Sequence, residues 1–249
     1  MIKGYIFDYG GTLDTGGQHW GKVIWHAYEH QQVPVSEEHY REAYVHGERT
    51  LGRNPIIKPE FTFRKTLETK LRLQLEYLHE HVSSDSPLEL GVSSLMAFDS
   101  SIKPLMSYLY PLLDELYENT NQQTFHSREV LMTLQRHFPM VLVSNFYGNI
   151  HTVLREFGFE NLFQQVIESA VVGVRKPDPR IFTLGVEALG LEPDEVVVVG
   201  DSIDKDIIPA REAGCHTIWF KGEGWTNDPV DESIPDKIIT DLGELKIED

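Results

Sequence analysis

The chain has a single cysteine, Cys215, among its 249 residues. An intrachain disulfide and a zinc site built from several cysteines are therefore excluded. Cys215 opens the apolar run 215–220, and the burial preference of cysteine predicts a buried strand thiol. Long hydrophobic runs are also missing. The amino-terminal MIKGYIFDYGG is too short for a signal peptide, and no stretch approaches the ~20 apolar residues that cross a bilayer. These absences lead to the expectation of a cytoplasmic protein with no membrane partner. Basic residues are scarce too: 22 Lys and Arg stand against 39 Asp and Glu, for a formal net charge of −17. Nucleic acid is held by clusters of lysine and arginine, and the sequence has none, so a nucleic-acid partner is not expected. Small phosphorylated substrates stay open, because one lysine and one metal ion set the charge of a single site. Internal repeats and low-complexity tracts are absent as well.

What is present divides by pattern. From about residue 125 onward, short β-branched runs at 140–144, 165–168, 196–200 and 217–220 alternate with helical stretches at 127–137, 149–157, 179–189 and 204–213. With the first strand at 5–9, this alternation predicts an α/β fold, a doubly wound parallel sheet covered on both faces. Asp178 reads as an N-cap before Pro179 at the first helical position, and Gly190 follows the end of that helix. Asp204 reads as a second N-cap. Residues 15–114 differ, with helical periodicity at 22–31, 36–50, 61–81 and 104–117, Ser-rich connections at 81–87 and 91–94, and no strand run. The expected organisation is a core domain of residues 1–14 and 115–249, interrupted by a helical domain of residues 15–114.

Ligands of open parallel sheets bind outside the carboxyl ends of the strands. Four such places carry polar groups: Asp8 after the first strand, Ser144 and Asn145 at the second, the loop VRKPDP around Lys176 after the third, and Gly200, Asp201 and Ser202 at the fourth. FDYGGTL from Phe7, VSN ending at Asn145, RKPDP from Arg175 and VVGDSIDKD from Val198 stand in that order. In this the chain resembles the haloacid dehalogenase-like hydrolase superfamily, most of whose members are magnesium-dependent phosphatases. The helical insertion looks like that superfamily's α-helical cap, so the resemblance covers nearly the whole chain.

The resemblance implies that Asp8 attacks phosphorus and forms an aspartyl phosphate. A carboxylate is ionised at neutral pH and needs no prior deprotonation, but it repels a phosphate dianion unless cations lie close by. By resemblance, Mg²⁺ is held by Asp8, the backbone carbonyl of Gly10, Asp201 and Asp206, and oxygen ligands suit that ion. Lys176 then neutralises the phosphoryl group and Ser144 donates a hydrogen bond to it. Gly11, Thr12 and Asn145 complete the phosphate and substrate contacts. The implied partner is a small phosphorylated metabolite, and the implied assembly a monomer or homodimer.

At position 10 the pattern departs from the family. Residues i and i+2 of a strand point to one side, and many of these phosphatases place a second aspartate there as general acid and base. Gly10 keeps a carbonyl for a metal and removes the proton shuttle. Three readings follow: a substrate with a good leaving group such as an acyl phosphate or pyrophosphate, an acid borrowed from Asp14 or His19, or a metal- and phosphate-binding regulatory protein with little turnover. Asp14 and His19 otherwise read as solvated loop residues. Dehalogenase and phosphonate-cleaving relatives also lack this acid. The retained aspartates of GDSIDKD argue against the first, and no lysine stands out among Lys22, Lys58, Lys65, Lys70 and Lys103 for the second, with Lys58 the first to mutate. His26, His30, His39 and His46 form no zinc pattern and read as surface or packing residues. Arg49 and Arg53, four apart on a helix, could meet an anionic substrate group, though a solvated face is the plainer reading.

Overall fold

The computed structural model describes residues 1–82, 104–226 and 228–245. Residues 83–87 and 91–94 of the expected connections, and Lys103, lie outside the described residues. Six strands, β1 (Gly4–Phe7), β2 (Met140–Ser144), β3 (Gln165–Glu168), β4 (Val196–Gly200), β5 (His216–Phe220) and β6 (Lys237–Ile239), form one sheet in the order β3-β2-β1-β4-β5-β6. All of its pairs are parallel, with Tyr5 opposite Met140 on one side and Val197 on the other. β1 is thus central, and the chain leaves it in opposite directions to build β2 and β4. That reversal opens the crevice at its carboxyl end.

Both faces of the sheet are buried, which is why its strands read as unbroken apolar runs rather than alternating ones. Tyr5, Phe7, Leu142, Val197 and Val199 point into one core cluster, while Ile6, Val141, Val143, Val196 and Val198 point into the other. Fully burying a Phe, Ile or Leu side chain contributes ~1.5–3 kcal/mol. The second face is covered by the helix Arg180–Leu189, whose Ile181, Phe182 and Val186 pack on it. Its N-cap is Pro179 rather than the expected Asp178, whose Oδ1 still accepts from Arg180 N at 3.0 Å, and Gly190 ends it in the left-handed region as expected.

The first face is covered by the helical segment. Helices α1 (Trp20–His30), α2 (Glu37–Arg53), α3 (Phe63–Val82) and α4 (Leu109–Leu134) bury Tyr28, Tyr40, Leu71, Leu75 and Leu112 in a cluster continuous with the sheet. Among the described residues no helix is long and apolar enough to cross a membrane. Ser36 caps α2, its Oγ accepting from His39 N at 3.2 Å.

Four further expectations need adjusting. The stretches 104–117 and 127–137, read as separate helices, are joined through one helix, α4, which takes in 109–117 and 127–134, so position 114 falls inside it rather than at a loop. β1 ends at Phe7 rather than residue 9, because the chain turns immediately after Asp8. β6 was not foreseen. Asp204 is exposed and caps nothing: Ser202 is the N-cap of the turn Ile203–Ile207, its Oγ accepting from Lys205 N at 3.2 Å. Cys215 is buried just ahead of β5, and burial pushes its thiol up to about 11.

Candidate active site

The backbone N–H of Asp8 donates to Val199 O at 3.0 Å, which fixes it beside the end of β4. The chain then turns sharply through Gly11, whose φ of +101° favours glycine. A Cβ built there would lie 2.4 Å from Asp201 Oδ1, so a side chain is excluded twice over. Leu13 N donates to Tyr9 O at 2.8 Å, and Gly17 N to Gly11 O at 2.8 Å, which closes the turn. Thr12 is fully buried and its hydroxyl donates to Asp201 Oδ1 at 3.0 Å, tying the turn to the β4 loop. Gly10 is the opposite of Gly11. A Cβ built on it meets nothing within 4 Å.

Lys176 reaches the same point from the loop after β3. Its buried Nζ donates to Asp8 Oδ1 at 2.5 Å and to Asp206 Oδ1 at 2.6 Å. Asn145 sets that reach: its Nδ2 donates to Lys176 O at 3.0 Å and its Oδ1 accepts from Lys176 N at 3.0 Å. Both ends of its amide are spent on the Lys176 backbone, so Asn145 positions the lysine. Asp206 also accepts from Ser202 N at 3.0 Å, and Asp201 O accepts from Trp219 Nε1 at 2.8 Å.

Burial would lower the pKa of Lys176, but the charges of Asp206 and Asp8 outweigh it and hold the ammonium above its usual range. Burial raises Asp8 against the opposing pull of Lys176, and burial with the charges of Asp206 and Asp8 raises Asp201 well above the usual carboxylate range. Carboxylate oxygens of Asp8, Asp201 and Asp206 lie within 4.8 Å of one another. Three close carboxylates against one ammonium leave buried negative charge that a divalent, oxygen-liking cation would offset. The donor set therefore fits such an ion.

Asp8, Gly10, Ser144, Asn145, Lys176, Asp201 and Asp206 line one cavity of about 970 Å³, while Gly11 and Thr12 sit behind its wall. Arg49 and Arg53 also line it, whereas Lys58 is exposed and does not. The lysine of the helical segment that stands out is Lys70 of α3, contrary to the expectation that none does. It is buried in the cavity wall, 2.7 Å from Glu48 of α2, whose Oε2 accepts from Tyr147 at 3.0 Å. Burial opposes its charge, but Glu48 raises its pKa well above the usual value, so it is an ammonium. An imine-forming lysine must present a free amine, which argues against phosphonate cleavage. The available signal was its register, since α3 buries Phe63, Leu67, Leu71, Leu75 and Leu78 and Lys70 falls on that stripe.

Asp14 and His19 are not solvated, contrary to expectation. Asp14 is 1% exposed, with Oδ1 accepting from Gly11 N at 2.7 Å and Oδ2 from Trp20 Nε1 at 3.0 Å. Burial pushes its carboxyl up to about 7. His19 caps α1, its Nδ1 accepting from Gly21 N at 3.0 Å, which leaves the proton on Nε2. Burial, then the charge of Lys205, pulls it down to about 4, so the ring is neutral at pH 7. Both line the cavity. Of the other histidines, His26 meets Glu29 and Glu223 and His30 meets Glu115, away from the cavity.

The Asp14 geometry makes a prediction about pH. Its folded pKa lies above its ordinary 3.8, so its contribution to stability is full below about pH 4 and is lost as pH rises through about 7. Asp14→Asn removes that dependence, worth ~4 kcal/mol at most, while setting an amide N–H against one of two N–H donors. Urea unfolding of both proteins across that range should show stability curves that converge with rising pH. Parallel curves would contradict the assignment.

The parallel sheet thus sets a carboxylate at its central strand end, beside one lysine and two further carboxylates. The family model of haloacid dehalogenase-like hydrolases matches residues 2–214, and the chain belongs to that family. It is 27% identical over 229 residues to haloacid dehalogenase-like hydrolase domain-containing protein 3 of Mus musculus, covering 85% of each chain. It is 39% identical over 88 residues to a phosphoserine phosphatase of Thermus thermophilus, a match spanning 35% of this chain and 34% of that one. In fold it is similar to the putative HAD-hydrolase YfnB of Bacillus subtilis bound to magnesium, with a TM-score of 0.55, 20% identity, and coverage of 98% of this chain and 96% of that one.

Proposed function

We propose that the protein is a Mg²⁺-dependent phosphohydrolase acting on a small phosphorylated metabolite through an aspartyl phosphate on Asp8. The observation that carries this reading is the position of Asp8 at the central strand end, beside Lys176, Asp201 and Asp206. On this reading residues 1–14 and 115–249 serve as the core that holds these groups and residues 15–114 as the cap that selects the substrate, with helix α4 running across their boundary. Mg²⁺, held by the carboxylates of Asp8, Asp201 and Asp206 and the Gly10 carbonyl, supplies the charge neutralisation that lets a carboxylate approach a phosphate.

An oxygen of Asp8 bonds to phosphorus as the bond from phosphorus to the leaving oxygen breaks. Lys176 offsets the charge of the transferred group, and Ser144 donates to one of its oxygens. With glycine at position 10, the leaving oxygen takes its proton from water or departs as a stable anion. Water then attacks phosphorus, which releases phosphate and restores the Asp8 carboxylate. General acid and base catalysis typically contributes ~10²- to 10⁴-fold, so its loss favours acyl phosphates and pyrophosphate. Asp14 is the nearer match to a proton-transfer group by its pKa of about 7, but both its oxygens already accept hydrogen bonds.

The open space at Gly10 also supports a second reading, a phosphate-ligand binding protein with little turnover. A screen of phosphate esters, acyl phosphates and pyrophosphate, with and without Mg²⁺, separates the two. Release of phosphate that needs Mg²⁺, fastest from acyl phosphates and pyrophosphate, is expected. No release from any compound would overturn the hydrolase reading in favour of the second.

A further inference from the structure

The cavity around Asp8 carries more cationic charge than its chemistry consumes, in a chain of net charge −17. Its acids are all engaged. Asp8 and Asp206 meet Lys176, Asp201 accepts from Thr12, Glu48 meets Lys70 and Tyr147, and Asp14 accepts from Gly11 and Trp20. Four cations in the same wall are different: Arg49 and Arg53 from α2, Arg175 from the loop after β3, and Lys205 from the loop after β4. None has a side-chain ion pair among the described residues, although acids outnumber bases in the chain 39 to 22.

Arg49 and Arg53 bear the argument furthest. The positions three and four residues from Arg49 along α2 are Val45, His46, Gly52 and Arg53, so no acid offsets it and the two arginines face each other. Like charges four apart destabilise a helix, and a chain rich in glutamate has ample means to relieve that. Arg41 of the same helix is relieved in this way, its Nη2 lying 2.9 Å from Glu37.

We propose that the substrate carries a second anionic group, a carboxylate or a second phosphoryl group, and that Arg49 and Arg53 bind it while Arg175 and Lys205 guard the mouth. This rests on the phosphohydrolase reading above and narrows its substrate class. Guanidinium forks suit either anion.

The test compares phosphoglycolate, ethylene glycol bisphosphate and hydroxyethyl phosphate, which share one carbon skeleton and end in carboxylate, phosphate or hydroxyl. Wild type should prefer one of the two anionic compounds over hydroxyethyl phosphate by ~10- to 100-fold in kcat/KM, and the preferred one identifies the group. In the Arg49→Gln, Arg53→Gln double variant, KM for that compound should rise by a similar factor with kcat nearly unchanged. Hydroxyethyl phosphate should not respond, and Arg49→Lys with Arg53→Lys should restore part of the difference. Equal use of all three compounds, or a double variant that treats them as wild type does, overturns the proposal. If none is turned over, acetyl phosphate run alongside distinguishes the two failures: release from it keeps the hydrolase reading and no release sinks it, and in either case calorimetric binding of the three compounds to wild type with Mg²⁺ decides this one. An anion preference lost in the double variant upholds it, and equal affinities overturn it.

Discussion

Asp8→Asn is expected to lower Mg²⁺-dependent phosphate release by at least ~10³-fold, because an amide oxygen is too weak a nucleophile to form the phosphoryl ester. The fold should survive. Asparagine has the shape of aspartate, its carbonyl still accepts from Lys176, and the turn after β1 is closed by backbone contacts and by Asp14. Removing one charge from a buried, over-negative cluster should leave the metal-free protein as stable as wild type or more so. A phosphate-release assay beside a thermal melt without metal therefore separates loss of chemistry from loss of structure. Activity retained in a folded Asp8→Asn protein would contradict the nucleophile assignment.

Gly10→Asp is expected to work in the other direction. The backbone at Gly10 lies outside the left-handed region, and its missing side chain would project into open space on the cavity wall. Neither conformation nor packing requires glycine there, unlike Gly11 next to it. A carboxyl group at this point can protonate a leaving alkoxide and later deprotonate the attacking water. Hydrolysis of simple alkyl phosphates should therefore rise by ~10²-fold, while acyl phosphates, whose leaving groups need little protonation, should change far less. Gly10→Ala serves as the control for volume alone and should match wild type. An Asp variant no faster than wild type on alkyl phosphates would count against the account of this glycine.

Much of the sheet was legible because strands buried on both faces leave β-branched runs such as VVVV at 196–199, bounded by turn residues. The middle of α4 was not. Residues 118–124, ENTNQQT, carry no apolar side chain and include the poor helix formers Asn119, Thr120, Asn121 and Thr124, yet Thr120, Thr124 and Ser127 continue the buried stripe of Leu109, Leu112, Leu113 and Leu116. Thr124 Oγ1 donates to Thr120 O at 2.8 Å, and Ser127 Oγ donates to Leu13 O at 2.8 Å, against the turn that carries Asp8. β6, three residues at the sheet edge, is too short to leave a periodic signal.

The site divides in the same way. Asp8, Lys176, Asp201 and Asp206 could be read from the sequence because each follows a strand end, and parallel strands bring their ends to one edge. The pairing of Lys70, Glu48 and Tyr147 could not, because it depends on how α2 and α3 pack above the loop after β2. Burial of Asp14 was hidden for a related reason: it is created by Trp20 from α1 folding over the turn. Local motifs reveal groups that the backbone gathers, whereas groups gathered by helix packing emerge only in three dimensions.

The central claim is that the phosphoryl group passes through a covalent ester on Asp8, and on that proposal glycine at position 10, offering no carboxyl group to activate water, lets the ester accumulate. Wild-type protein with Mg²⁺ should be mixed with radiolabelled acetyl phosphate, quenched in acid within one turnover and cleaved into peptides. The account predicts alkali-labile label on the peptide that contains Asp8, absent without Mg²⁺, absent in Asp8→Asn, and depleted in Gly10→Asp. Phosphate release with no label on that peptide, or label that persists in Asp8→Asn, would contradict it.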